Sequence, residues 1–256
     1  MYNGARQVIR NGDVDASGST IAANLARIEL TILEACRRSG RRREEVQLIA
    51  VSKGRSVEEI LAALACGLHQ LGENRIEELE AKRPLVEQCA AAPVWHMIGH
   101  VQSRKAARVA AAGILVHSVD SVRLAERLDR QGAELGQAVR VLLQVNVSGE
   151  ASKQGLDAAT PAEIQQLLSD LDRVVALPHL QIEGLMTMAP QVPDPELARP
   201  VFAGLREVRD LCQERYPHTR WDTLSMGMSA DYAIAIEEGA TCVRVGRALF
   251  EPIWEG

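Results

Sequence analysis

No stretch of this 256-residue sequence approaches the roughly 18 to 20 consecutive apolar residues that a membrane-spanning helix requires. The opening segment MYNGARQVIRNGDVDASGST also lacks the apolar core of a secretory signal. Both absences exclude the membrane as a partner and lead to the expectation of a cytoplasmic protein. Cysteine is scarce and scattered: the five residues Cys36, Cys66, Cys89, Cys212 and Cys242 are odd in number, include no Cys-x-x-Cys pair and have no histidine at zinc-finger spacing. They are expected to be free thiols, mostly buried, with none marked as a nucleophile. There is no excess of one charge either, since 29 basic and 34 acidic residues leave a net charge of -5, which offers no footprint for nucleic acid. The basic run RRSGRRREE at 37–45 then reads as a solvated helix end and loop. Linkers, low-complexity tracts and domain boundaries are missing as well.

What the sequence does contain is a regular alternation of short β-branched apolar runs with longer segments of helical period, punctuated by Gly, Asn, Ser or Asp. The spacing predicts strands over Gln47–Lys53, His69–Asn74, Val94–His100, Ile114–Asp120, Arg140–Val147, Gln181–Met188, Thr223–Gly227 and Cys242–Leu249. Helical segments fill the gaps, several opening with Ser or Pro and closing near Gly, as helix ends prefer. Eight strands each followed by a helix imply parallel pairing and an α/β fold, a single TIM (β/α)8 barrel. An extra N-terminal helix is expected over Ile21–Arg38. The Gly-, Asp- and Ser-rich residues 1–18 are expected to form a loose arm ahead of a barrel domain spanning 19–256.

Functional groups of such barrels sit at the C-terminal strand ends, and those positions are unusually polar here: Lys53, Asn74, His100, Asn146 and Arg244, with Ser229 opening the helix after strand seven. If Ile49 and Val51 point inward, so does Lys53. Partial desolvation there would lower the pKa of the amine and suit it to attack a carbonyl, the alternative being a lysine that snorkels into solvent. In CVRVGRALF, Cys242, Arg244 and Gly246 share the inward face. A buried guanidinium needs an acceptor, either an internal carboxylate such as Glu183 or a ligand. The segment SMGMSADYAIAIEEGA and the glycine of VRVG resemble phosphate-binding turns, although Ser229 would also serve as a plain helix cap. Together these groups suit one small molecule with an aldehyde, a phosphate and an aromatic nitrogen, pyridoxal 5'-phosphate (PLP).

The motifs AVSK (50–53), GEN (72–74), WHMIGHVQSRK (95–105), HSVDS (117–121), QVNVSGEASKQGL (144–156), GLMTM (184–188), LSMGMSADY (224–232) and VRVG (243–246) span nearly the whole chain. In order and spacing the sequence resembles the YggS/PROSC family of PLP homeostasis proteins, whose barrel is similar to the N-terminal domain of alanine racemase. The resemblance implies Lys53 as the cofactor lysine, Ser229 at the phosphate, Arg244 at the ring nitrogen and Asn74 beside the ring, while the turn chemistry above adds Gly246 at the phosphate. Gly54 and Arg55 depart from the Thr-Lys-Pro more usual in the family.

The resemblance further implies that a racemase takes its second base, a tyrosine, from an additional domain of the partner subunit. This sequence stops at Gly256, ten residues past Gly246, so no such domain is expected, and a monomer is favoured. Of the three tyrosines, Tyr2 falls in the arm, Tyr216 ends a helix and Tyr232 is expected to pack. The leading expectation is a PLP-binding protein that stores or delivers the cofactor, with PLP-requiring apoenzymes as recipients and no catalytic residues. The alternatives are an amino-acid-transforming PLP enzyme such as a racemase, or an aldolase-type barrel using Lys53 without a cofactor. His96 and His100 either line the pocket or hydrogen-bond within the barrel, without metal. Lys153, at the barrel mouth, is a solvated loop lysine or a site for phosphate or a second pyridoxal molecule.

Overall fold

The computed structural model describes residues 11–90, 92–150 and 153–252. Its strands are β1 (Gln47–Val51), β2 (Gln70–Glu73), β3 (Val94–Met97), β4 (Leu115–Val119), β5 (Val139–Asn146), β6 (Leu156–Asp157), β7 (Leu180–Met186), β8 (Thr223–Ser225) and β9 (Cys242–Val245). Every pairing is parallel, and β1 through β5 followed by β7, β8 and β9 form a cycle closed by the β1–β9 and β4–β5 pairs. The expected (β/α)8 barrel is therefore present. The two-residue β6 is an addition that extends β5 outside the cycle.

Around the barrel run α1 (Asn11–Arg38), α2 (Val57–Ala65), α3 (Ile76–Cys89), α4 (Ala106–Ala111), α5 (Val122–Leu135), α6 (Pro161–Val174), α7 (Arg199–Arg215), α8 (Tyr232–Glu237) and α9 (Arg247–Phe250). Local chemistry starts several of them: Ser56 and Glu59 form a capping box on α2, and Thr160 with Glu163 does the same on α6 ahead of Pro161. Outward strand residues such as Leu48, Ala50, Val243 and Val245 pack with the helices into one continuous core. The inward Leu115, Leu142 and Met186 form a separate small cluster within the barrel.

The extra helix is longer than expected, because α1 already starts at Asn11. Residues 11–18, assigned to the arm, are helical, whereas residues 1–10 of the arm lie outside the described residues. Its buried stripe, Ile21, Ile28, Ile32 and Ala35, recurs at helical spacing. The stripe also contains Asn24, fully buried, whose Nδ2 donates to the carbonyls of Leu249 and Glu251, both at 2.9 Å. Asn24 thus ties α1 to the end of α9. Asn24→Ala leaves the buried Leu249 carbonyl without that donor and is expected to lower unfolding stability by about 2 kcal/mol, measured as a shift in urea midpoint at unchanged slope.

The strands stop short of the predicted ends. At β1, Arg55 N–H donates to the Ser52 carbonyl at 3.0 Å and closes a turn, so Lys53 lies beyond the ladder. At the other side of the same pair, Gly246 caps α9 where a continued strand was expected.

Candidate functional site

The C-terminal strand ends enclose a cavity of about 700 Å³, and Lys53, Asn74, Ser229, Arg244 and Gly246 all line it. Five residues from four strand ends separated by up to 193 positions in the chain (53 to 246) therefore meet in one place. Met188, Pro190, Val192 and Pro195 supply an apolar wall.

Lys53 is exposed at the rim, so the expected desolvation by the protein's own side chains is absent. What the fold controls is its backbone. Lys82 Nζ donates to the Ser52 carbonyl at 2.8 Å, and Gly54 N–H donates to Glu78 Oε2 at 3.0 Å, which clamps the turn on either side of the lysine. Lys82 also bonds Glu73 Oε1 at 2.8 Å, and Ser52 Oγ donates to the same oxygen at 2.7 Å. Glu73 is fully buried and its Oε2 has no partner among the described residues; burial raises its pKa against the pull of Lys82 and Ser52. Gly54, where Thr is more usual in the family, adopts φ +69°, a left-handed value that glycine takes without strain. Arg55 then turns away, pairing with Glu59 and Glu251 and stacking over Phe250.

Arg244 points inward as alternation required and is 4% exposed. Its Nη1 donates to Ser225 Oγ at 2.6 Å and its Nη2 to the Thr187 carbonyl at 2.9 Å; among the described residues it forms no ion pair with a carboxylate. Glu183 is bound in two-pronged fashion by Arg140 at 2.7 and 2.9 Å, three residues before Met186 toward the opposite end of β7. Burial lowers the Arg244 pKa, opposed by the charges of Cys242 and Asp231.

Ser229 is not the cap of α8; that position belongs to Asp231, whose carboxylate accepts from Met228 N–H at 2.6 Å. The Ser229 hydroxyl instead accepts from the amides of Gly246 and Ala248, each at 3.3 Å. It reaches across to the β9 end, so that Ser229 and Gly246 meet at the cavity edge.

Below the cavity the barrel interior is polar. His96 and His117, 3% and 0% exposed, touch through their ring nitrogens at 3.0 Å. Burial lowers the His96 pKa to about 4, with the Arg140 charge adding to the effect, and burial pushes His117 well below the ordinary value in the same direction. His117 and Ser225 fall inside the motifs HSVDS and LSMGMSADY, but neither motif marks them as partners. Their signal in the sequence is a polar residue at an inward, period-two position of a strand, which His117 shares with Leu115. Because His96 is deprotonated in the fold yet takes up a proton near pH 6.5 when unfolded, its contribution is complete above pH 6.5 and is lost as pH falls toward 4. The loss is roughly 3 kcal/mol over that window. His96→Gln is expected to flatten the decline between pH 6.5 and 4.5 in urea titrations, and an unchanged slope would contradict it.

The remaining candidates resolve as follows. His100 lines the cavity and its Nδ1 meets Asp120 Oδ2 at 2.8 Å. Asn146 is not at the cavity: it braces the following loop through Glu150 and Asp157. Lys153 Nζ donates to the Ala189 carbonyl at 3.1 Å and joins the loops after β5 and β7. Tyr232 packs in the core, Tyr216 bonds Asp172 and Leu168, neither lines the cavity, and Tyr2 lies outside the described residues. In the basic run, Arg43 pairs with Glu29 and Arg38 with Glu237. All five cysteines are free, and burial pushes the Cys212 thiol up to about 12. Among the described residues no group of three His, Cys, Asp or Glu is placed to hold a metal ion.

Residues 24–252 match the family of the alanine racemase N-terminal domain. The pyridoxal phosphate homeostasis protein of Vibrio cholerae is 40% identical over 233 residues, covering 90% of this chain and 95% of that protein. The structure of PipY from Synechococcus elongatus with PLP bound is 37% identical with a TM-score of 0.74, over 90% of this chain and 99% of that one. Alanine racemase from Streptomyces coelicolor shares the fold, with 19% identity and a TM-score of 0.64 over 88% of this chain and 58% of the racemase. On the length and identity of these matches, the chain belongs to the alanine racemase N-terminal domain family, alongside the pyridoxal phosphate homeostasis proteins.

Proposed function

We propose that this protein binds PLP on Lys53 and takes part in intracellular PLP homeostasis by holding and releasing the cofactor, with little catalysis. The observation that carries this function is Arg244, a buried guanidinium that opens on the cavity without a carboxylate partner among the described residues. Such a group calls for an acceptor from a ligand. The donor set suits PLP, whose aldehyde condenses with an amine when bound. Lys53 supplies the amine at the rim, Ser229 and Gly246 at the cavity edge would hold the phosphate, and Asn74 would lie beside the ring. The name of the Vibrio cholerae relative and the PLP bound to PipY support the assignment.

Arg244 also argues for holding over catalysis. Being a donor only, it requires an unprotonated ring nitrogen, which makes a weak electron sink. Neither Tyr216 nor Tyr232 lines the cavity to act as a second base. The recipients are proposed to be PLP-requiring apoenzymes in the cytoplasm, served by a monomer; among the described residues no helix is long and apolar enough to cross a membrane. The purified protein is expected to absorb visible light, and borohydride reduction followed by peptide mapping is expected to label Lys53. Colourless protein, or label on a different lysine, would overturn the proposal.

One observation favours a second possibility, an amino-acid-transforming enzyme: His100, braced by Asp120, is a cavity group able to take up and return a proton. Turnover of an amino acid at an ordinary enzymatic rate, lost in both Lys53→Ala and His100→Ala, would establish it.

A further inference from the structure

Arg244 is the upper end of an unbroken series of hydrogen bonds that runs down the inside of the barrel. Its Nη1 meets Ser225 Oγ at 2.6 Å, Ser225 Oγ meets His117 Nδ1 at 2.9 Å, His117 Nε2 meets His96 Nδ1 at 3.0 Å, and His96 Nε2 meets Gln70 Oε1 at 2.9 Å. The two imidazoles stand edge to face, with centroids 5.1 Å apart and planes at 85°. Each contact needs one proton. The orientation of the Gln70 amide decides where every proton goes.

Gln70 turns its amide oxygen to His96, and an oxygen only accepts, so with the amide in this orientation His96 carries its proton on Nε2. A neutral imidazole then offers Nδ1 as an acceptor, which requires the proton of His117 on Nε2 as well. His117 Nδ1 is left as an acceptor, and the single Ser225 proton goes to it. At the other end Arg244 only donates, and the Ser225 oxygen therefore meets it with a lone pair. With the Gln70 oxygen facing His96, one arrangement with neutral rings satisfies all four contacts, and it points one way, from Arg244 to Gln70.

We propose that Ser225, His117, His96 and Gln70 form a one-way hydrogen-bonded relay that orients the Arg244 guanidinium toward the ring nitrogen of the bound cofactor, with His117 as a positioning residue. This rests on the proposed PLP function. By donating to His117, the Ser225 hydroxyl becomes a stronger acceptor and cannot compete as a donor near the arginine. The Thr187 carbonyl takes Nη2 at 2.9 Å, so two acceptors hold the guanidinium while its remaining N–H groups are unclaimed among the described residues. The relay carries no charge of its own, so it leaves the guanidinium a cation and a donor only, which requires an unprotonated nitrogen.

Two measurements on the full-length protein test this. First, nitrogen-15 NMR of the ligand-free protein at pH 7 is expected to show both buried histidines neutral with the proton on Nε2. A proton on Nδ1 of either, or a charged ring, overturns the relay whether or not PLP binds. Second, binding of PLP is compared with binding of its analogue carrying CH in place of the ring nitrogen. In His117→Gln, PLP affinity is expected to fall about tenfold and analogue affinity by less than about twofold. Equal losses for both ligands would mean that the histidine only packs, and would overturn the positioning role. Gln70→Leu, at the partly exposed far end of the barrel, is expected to show the same selective loss and serves if His117→Gln does not fold. A wild-type protein that binds neither ligand overturns the proposed function, and the orienting role with it, while a correct NMR pattern would still stand.

Discussion

Lys53→Ala is expected to abolish the visible absorbance of the protein and to weaken PLP binding by about a hundredfold or more. The loss follows from geometry. Lys53 is the amine on the turn after β1, and the carbonyl before it and the amide after it are fixed by Lys82 and Glu78. Alanine keeps that clamp and removes only the amine proposed to reach the ligand. Folding is expected to be nearly indifferent, within about 0.5 kcal/mol, because the side chain is exposed. Spectra and equilibrium dialysis against PLP, alongside urea unfolding, separate the two effects. A variant that keeps the absorbance, or binds PLP within about threefold of the parent, would remove Lys53 from the site.

Gly184→Val is expected to have the largest effect on folding. At this position β7 lies so close to β8 that an added Cβ would sit 1.9 Å from the Thr223 carbonyl oxygen and within 2.8 Å of two further Thr223 backbone atoms. Those atoms belong to a neighbouring strand and cannot swing aside as a side chain would. Gly184 also has φ +148°, unsuited to a β-branched residue, and the β5–β7 register shifts next to it. Overpacking against backbone and an incompatible conformation add, and the expected cost exceeds about 4 kcal/mol. The variant should be insoluble or unfold at a much lower urea concentration, with Gly184→Ala intermediate. A Gly184→Val protein that melts within a few degrees of the parent would show that the strands separate easily.

The two substitutions differ in how far each position could be read in advance. Lys53 stood out because a cation ends an apolar run and alternates in phase with Ile49 and Val51. Arg244 stood out for the same reason on β9, and the register confirms the shared face, since Ile49 lies opposite Arg244. Gly184 sits inside a recognised motif, yet nothing nearby in sequence shows that the Thr223 backbone lies against it. Ser229 was legible as a polar residue in a turn but not as the partner of the Gly246 amide, because a serine two residues before Asp231 looks like an ordinary cap. Glu183 shows the converse: period-two alternation offered it to Arg244, whereas its position along the barrel gives it to Arg140.

The kind of each element, the eight-fold β/α order and the inward face of each strand follow from local periodicity, which the backbone sets at two residues per strand repeat and 3.6 per helical turn. Local patterns carry no information on how far one strand slides past the next. That offset, fixed when the barrel closes, brings His117 to Ser225 across 108 residues and Asn24 to Leu249 across 225. It also determines which buried donor finds which acceptor. The proposed cofactor lysine and the arginine were therefore visible along the chain, while the relay beneath them exists only because eight strands settle into one register that gives each of its protons an acceptor.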